Sequence, residues 1–242
     1  MALFRLLYED ADLVAVDKPP GIHVHPPEDT THRIPKHQNG LAILRDQIGA
    51  YVYPIHRIDR ATSGVVLYAK NAESARNLAM QFQERKTRKE YVALVRGWIE
   101  EERFVNQTPL DDENGVLQDA WTEGEVLSRI ELPIPIGKYP CARYSLIRVN
   151  IKTGRRHQIR RHLRRMGHPL IGDTIYGVGE HNRLFRDQFG CSILFLKAFG
   201  LEWTHPRTLN LQVAYSRWNG DWQQIFNLAG VCPWGFSIPP GD

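Results

Sequence analysis

Only three cysteines occur in 242 residues, Cys141, Cys191 and Cys232, far apart and without a Cys-x-x-Cys pair. Neither a disulfide framework nor a zinc knuckle is indicated, and a reducing cytoplasm is the compartment this usage fits. No apolar run reaches the length of a membrane span, and the stretch around Leu3-Phe4-Arg5-Leu6-Leu7 is too short for a signal segment. Glycine-rich P-loop patterns are missing, as are internal repeats and low-complexity tracts. No break in composition marks a linker, so residues 1–242 read as a single domain. The most informative scarcity is of acid. Between Leu132 and Gly172 there is no Asp or Glu but there are ten Lys or Arg, leaving 21 of the 31 basic residues to face all 27 acidic ones elsewhere. An acidic body with one intensely basic segment is the footprint expected for a polyanion partner, most simply nucleic acid.

The chemistry-bearing stretch is His56-Arg57-Ile58-Asp59-Arg60-Ala61-Thr62-Ser63-Gly64. Tyr53-Pro54 before it and Gly64 at its end bound an irregular segment, and Val65-Val66-Leu67-Tyr68-Ala69 leaves it as a strand. Asp59 is therefore expected in a loop at the mouth of a sheet. Positive charge on both sides, from Arg57 and Arg60, favours the ionised carboxylate, which suits a nucleophile or a base rather than a general acid. Taken alone, an Arg-Asp-Arg loop fits a structural ion-pair knot as well.

Along the chain, residues 3–8 and 13–17 read as a strand pair, and Lys18-Pro19-Pro20-Gly21 ends the second strand. His23, His25, His32 and His37 follow in a proline-rich stretch. No Cys or carboxylate spacing completes a metal site there, so a solvated or RNA-facing loop is expected. Helices are expected over residues 41–48 and 72–85, the second capped by Asn71 with Ala75, Leu78, Ala79 and Phe82 facing the core. Residues 91–95 read as a strand, in which Tyr91 could be an ordinary strand aromatic. Residues 100–120 read as an acidic surface excursion, 121–130 and 143–151 as strands, 193–196 and 209–215 as further strands, and 221–227 as a terminal helix. Strands outnumber helices with little β-α-β alternation, which predicts an α+β fold: a mostly antiparallel mixed sheet flanked by helices.

The basic segment centres on Lys152-Thr153-Gly154-Arg155-Arg156-His157-Gln158-Ile159-Arg160-Arg161-His162-Leu163-Arg164-Arg165-Met166-Gly167. Thr153 could start a helix and Gly167 end it, with Ile159, Leu163 and Met166 facing the core. Arg156 and Arg160 would then border the apolar stripe. An arginine turned towards a core calls for a carboxylate, and Asp59 is a candidate partner for Arg160. The alternative is a solvated basic face, although so dense a run of like charge repels itself unless anions are bound.

These residues resemble a known family. The Asp59 loop is similar to the signature loop of the RluA-type pseudouridine synthases, and the likeness extends to Val16-Asp17-Lys18-Pro19-Pro20-Gly21 and to Lys89-Glu90-Tyr91-Val92-Ala93-Leu94-Val95-Arg96-Gly97. Thr153-Gly154-Arg155-Arg156-His157-Gln158-Ile159-Arg160 and His168-Pro169-Leu170-Ile171-Gly172-Asp173 complete it. Arg96-Gly97-Trp98, Tyr139-Pro140, Arg143-Tyr144 and Arg160-Arg161-His162-Leu163 look closest to the TruC branch, which modifies the uridine at position 65 of certain tRNAs.

The resemblance implies that Asp59 is the essential carboxylate, that Arg57 enters the RNA stack where a flipped uridine leaves, that Tyr91 stacks on that uridine and that Arg160 pairs with Asp59. Extrusion is what such chemistry demands, because a base within a stack cannot be reached. Arg60, Arg155, Arg156, His157, Arg161 and Arg164 are expected to meet RNA, and Leu196 to wall the pocket. The family usually reads Leu-His-Ala where this chain reads Leu196-Lys197-Ala198. No S4-like RNA-binding domain is expected ahead of the catalytic portion. The implied enzyme works on tRNA as a monomer, with no metal, small-molecule cofactor or membrane. An rRNA target or another tRNA position is the nearest alternative, and a non-catalytic RNA-binding module the next. A glycoside-cleaving enzyme would need two facing carboxylates, and a kinase reading of His-Arg-x-Asp lacks the glycine-rich loop and Asp-Phe-Gly.

Overall fold

The computed structural model describes residues 3–26 and 34–232. In chain order it begins with β1 (Arg5–Glu9), β2 (Leu13–Lys18), α1 (Gly40–Ile48), β3 (Tyr53–Pro54), β4 (Ser63–Ala69) and α2 (Ala72–Gln83). Then come β5 (Arg88–Arg96), β6 (Arg103–Asn106), β7 (Leu110–Asp111), β8 (Leu117–Gln118), β9 (Thr122–Leu132) and β10 (Ala142–Ile151). The last elements are α3 (Gln158–Arg165), α4 (Gly179–Phe189), β11 (Leu196–Thr204), β12 (Leu211–Tyr215) and α5 (Gly220–Ala229). These elements fall into two compact units. One takes Met1–Lys89 with Lys197–Arg217, the other Glu90–Leu196 with Trp218–Asp242.

In the first unit β4 is the central strand. It pairs antiparallel with β2, from Leu13 opposite Ala69 to Lys18 opposite Gly64, and antiparallel with β3. Its first residues pair parallel with β11, Lys197 opposite Ser63 and Ala198 opposite Gly64. Every residue of β4 is buried, which is why Gly64-Val65-Val66-Leu67-Tyr68-Ala69 is an unbroken apolar run rather than an alternating one. β1 lines β2, and β12 lines β11, both antiparallel. Leu13, Val65, Leu67, Leu78, Leu201 and Trp203 form the core between sheet and α2.

The second unit is antiparallel throughout its named pairs: β5 with β10, β10 with β9, β9 with β6, and a short β7–β8 ribbon. Tyr144, Phe185, Phe195, Trp222 and Phe226 bring β10, α4 and α5 together through edge-on and tilted ring contacts. The fold is thus α+β with mostly antiparallel pairing and a parallel contact between β4 and β11, as expected. No helix among the described residues is long and apolar enough to cross a membrane.

Four local expectations are corrected. Thr153 does not start the basic helix. Its hydroxyl donates to Gln158 Oε1 and accepts from Trp121 N, so residues 153–157 stay outside the helix, and α3 begins only after His157, whose φ of 53° is left-handed. Arg156 and Arg160 therefore do not share a helix face. In α2, Ala79 is exposed and Gln81 is buried instead. Its amide accepts from Thr204 N and donates to Thr204 O, which satisfies a polar side chain inside. The strand expected over residues 193–196 instead begins at Leu196 and runs for nine residues to Thr204, with Lys197 buried. α4 was not expected at all. It buries only His181 and Phe185, too few apolar positions to show a period.

Candidate active site

In the first unit the Asp59 turn is built from backbone contacts. Thr62 N donates to Asp59 O at 3.0 Å, closing the turn, and Gly21 N donates to Arg60 O at 2.8 Å. Arg60 Nε returns a hydrogen bond to Gly21 O at 3.1 Å. Gly21 has a φ of 87°, a conformation that a side chain resists, which accounts for glycine at the end of Lys18-Pro19-Pro20-Gly21. Lys18 is fully buried, and its ammonium donates to Pro19 O (3.0 Å), Ile22 O (2.8 Å) and Arg60 O (3.2 Å). Three carbonyls thus use all three donors of the amine. Burial pushes the Lys18 pKa down to about 7, while the charge of Asp59 acts in the opposite direction. Ile58 is buried beneath the turn, Asp59 is half-buried, and Arg57 and Arg60 are exposed. Asp59 thus lies between a buried neighbour, Ile58, and an exposed one, Arg60.

His56 has a different task. Its Nε2 accepts from Leu67 N at 3.0 Å, and its ring stacks on Phe82 with centroids 4.9 Å apart. Burial, with Lys89 nearby, pushes its pKa down to about 3. A neutral ring bonded to β4 anchors the loop and is not a free base.

The second unit holds the other residues expected to act. Tyr91 lies on β5 opposite Val149 of β10 and is almost fully buried. Arg160 is buried on α3 and grips Asp173 with both arms, Nε to Oδ2 at 2.7 Å and Nη2 to Oδ1 at 2.9 Å. Asp173 Oδ1 also accepts from Ile175 N and Tyr176 N, each at 2.9 Å. Burial alone would raise Asp173, but Arg160 and the two backbone N–H groups outweigh it and hold the carboxyl below its ordinary range. The Tyr176 ring lies 5.2 Å from the Arg160 guanidinium carbon, and its hydroxyl meets His157 Nδ1 at 3.1 Å.

The basic residues divide into two groups. Arg161 donates to Asp111 O at 2.8 Å and to Asp111 Oδ1, while Arg165 donates to Pro109 O at 3.0 Å. Arg155 Nε donates to Asp119 O at 2.9 Å. Arg156 and Arg164 are exposed. Leu196 is buried at the start of β11. Sequence reading did not single out Asp173, which it saw only as part of a turn, or the amine of Lys18. Lysine before Pro-Pro-Gly and a carboxylate after glycine were the available signals.

Among the described residues Asp10, Asp12 and His205 bring potential ligand atoms within 4.8 Å of one another. His205 Nδ1 accepts from Arg207 N and Thr208 N, so its proton sits on Nε2 and is donated to Asp10 Oδ2 at 2.7 Å. Arg207 Nε stands 2.7 Å from Asp12. That donor set suits an internal knot rather than a cation. In the histidine-rich stretch His25 Nδ1 meets Pro26 O at 2.8 Å; His32 lies outside the described residues.

A family model described as RNA pseudouridylate synthase matches residues 12–165. The chain is 40% identical to tRNA pseudouridine synthase C of Haemophilus ducreyi, over 96% of its own length and 97% of the relative's. It is likewise 40% identical to the protein of that name in Vibrio parahaemolyticus, over 92% and 93%. Two solved structures are similar in fold. Human RNA Pseudouridylate Synthase Domain Containing 4 superposes with a TM-score of 0.69 at 21% identity, covering 93% of this chain and 92% of that one. Human RNA Pseudouridylate Synthase Domain Containing 1 gives 0.68 at 23% identity, over 88% and 83%.

Proposed function

This chain belongs to the RNA pseudouridylate synthase family, which makes it an isomerase, and from that premise we propose that it converts a uridine of tRNA to pseudouridine, at position 65. The observation that carries the tRNA assignment is the 40% identity, over nearly the whole of both chains, to relatives named tRNA pseudouridine synthase C. The whole chain, both units included, serves this one reaction as a single catalytic domain.

In this reading the N1–C1′ bond of the flipped uridine breaks, the uracil turns while held, and C5 joins C1′. C5 gives up a proton and N1 gains one, so the product has the atoms of the substrate. Asp59 is the working carboxylate, attacking sugar or base or removing the C2′ proton. Arg57, exposed beside it, fills the gap left in the RNA stack. Tyr91 stacks on the uracil, Leu196 walls the pocket, and Arg160 steadies the carboxylate, as the family resemblance implies. Arg60, Arg155, Arg156, His157, Arg161 and Arg164 add affinity for the RNA backbone without reading sequence.

The test is carbodiimide mapping of unmodified tRNA transcripts after incubation with wild-type and Asp59→Ala protein. Asp59→Ala is expected to form no pseudouridine while binding tRNA within about tenfold of wild type, roughly 1.4 kcal/mol. Product at a position other than 65 overturns the site assignment, and undiminished product from the variant overturns the role of Asp59.

A further inference from the structure

Lys197 stands where the resembled family usually carries histidine, and it is 4% exposed. We infer that Lys197 is a positioning residue for the reaction: with Asp17 it fixes the start of β4, and through β4 the turn that carries Asp59. The inference rests on Asp59 being the essential carboxylate.

A buried ammonium needs a counter-charge, and Asp17 provides one, with Oδ1 3.9 Å from Lys197 Nζ. The same carboxylate accepts from Ser216 Oγ at 2.6 Å and from Arg217 N at 2.8 Å. Asp17 therefore ties together the end of β2, the start of β11 and the segment just after β12. Registers put this knot behind the Asp59 turn. On one flank of β4, Asp17 is opposite Val65 and Lys18 opposite Gly64. On the other, Lys197 is opposite Ser63 and Ala198 opposite Gly64. Gly64 has a φ of 123°, and a Cβ there would strike the Ala198 carbonyl, so β4 and β11 meet too closely for a side chain. Ser63 directly follows Thr62, whose N–H closes the turn on Asp59 O. A shift of the β11 start thus has little slack to absorb it before Asp59. An imidazole at position 197 would be shorter and mostly uncharged at neutral pH. Lysine brings a longer arm: burial pulls its ammonium below its ordinary range, and the charge of Asp17 acts in the opposite direction.

The measurement is kcat and KM for pseudouridine formation on an unmodified tRNA transcript. Lys197→Met is expected to lower kcat about tenfold or more with KM within about twofold, because the turn moves while RNA contacts stay. Lys197→Arg, which keeps charge and reach, should recover kcat to within about threefold of wild type. The double variant Lys197→Met with Asp17→Asn should lose clearly less than the two single losses multiplied together, since the Lys197–Asp17 interaction is counted in both. A kcat for Lys197→Met within about twofold of wild type overturns the inference, as does a loss carried by KM or by losses that multiply. If Lys197→Met does not fold, Lys197→Gln is measured against the same limits. Asp59→Ala runs in parallel: activity retained there discards the reading of Asp59, whereas its loss beside an unaffected Lys197 variant discards only this inference.

Discussion

The Asp59 turn and the basic segment around α3 both concentrate positive charge, but they hold it in opposite ways. In the turn, the buried cation Lys18 is held by three backbone carbonyls, so the charge shapes the loop. In the basic segment, carboxylates meet much of the charge. Asp173 grips Arg160, Asp111 takes Arg161 and Arg165, Glu131 takes Arg143, and Glu125 and Glu90 reach Arg148. Carboxylates on either side of the basic segment in sequence are therefore its partners in the fold, not merely a contrast in composition. What remains exposed for a polyanion is narrower than ten Lys and Arg residues suggest, with Arg156 and Arg164 at its head. Counting charge along a sequence does not separate cations that build a site from cations that meet a ligand; burial and the donor geometry do.

The strongest way to break this contrast is to remove a carboxylate from the second region. Asp173→Asn keeps an oxygen for the Ile175 and Tyr176 N–H groups but takes from the buried Arg160 the carboxylate charge it grips with both arms. A loss of about 3–5 kcal/mol in chemical denaturation is expected, the usual result of uncovering a buried ion, with pseudouridine formation falling along with it. If stability changes by less than about 1 kcal/mol, Arg160 does not depend on Asp173 and the division into paired and exposed arginines loses its main case.

A smaller effect sharpens the first region. His56 has a folded pKa near 3 against 6.5 for an ordinary imidazole, so between those values the unfolded chain binds the extra proton and the folded one does not. Its contribution is whole above about pH 6.5 and is lost progressively as pH falls towards 3. His181, pushed down to about 4 by burial and Arg96, acts in the same direction. Denaturation curves at pH 7 and pH 5 should show stability falling with pH. His56→Gln, whose amide oxygen can accept from Leu67 N, should flatten the fall by up to about 1.4 kcal/mol per pH unit. An equal fall in variant and wild type would mean the ring is not held neutral.

The turn was legible in the sequence because its determinants are local. Tyr53-Pro54, Gly64 and the unbroken run of β4 follow from backbone preferences and burial that neighbouring residues display. Asn71 announced its cap in the same way, and Asn71 Oδ1 does accept from Ser74 N. What was hidden depends on residues far apart in the chain. Gln81 is buried because Thr204, 123 positions away, presents a peptide group to it. Thr153 looked like a cap until Trp121 and Gln158 claimed its hydroxyl. Lys197 shows only as a departure from the usual histidine until β11 pairs with β4 and Asp17 comes within 3.9 Å of its ammonium. Periodicity finds apolar faces, and each of these misses is a polar side chain satisfied by a distant partner.

The smallest expected effect decides how much of the basic segment meets RNA. Arg156 and Arg164 are exposed, whereas the Arg161 guanidinium is already engaged by Asp111. Each phosphate contact removed should lower the slope of log affinity against log salt by about 1. Arg156→Ala with Arg164→Ala should therefore flatten the salt dependence of tRNA binding by up to about 2. Arg161→Ala should change it less than Arg164→Ala does, because its charge is partly answered within the protein. A slope that drops equally for Arg161 and Arg164 would show that RNA displaces Asp111, and the line between structural and ligand-facing cations would then have to be redrawn around the bound state. An unchanged slope in the double variant would place the RNA on another face, since exposed arginines that touch phosphate release counterions when they do so.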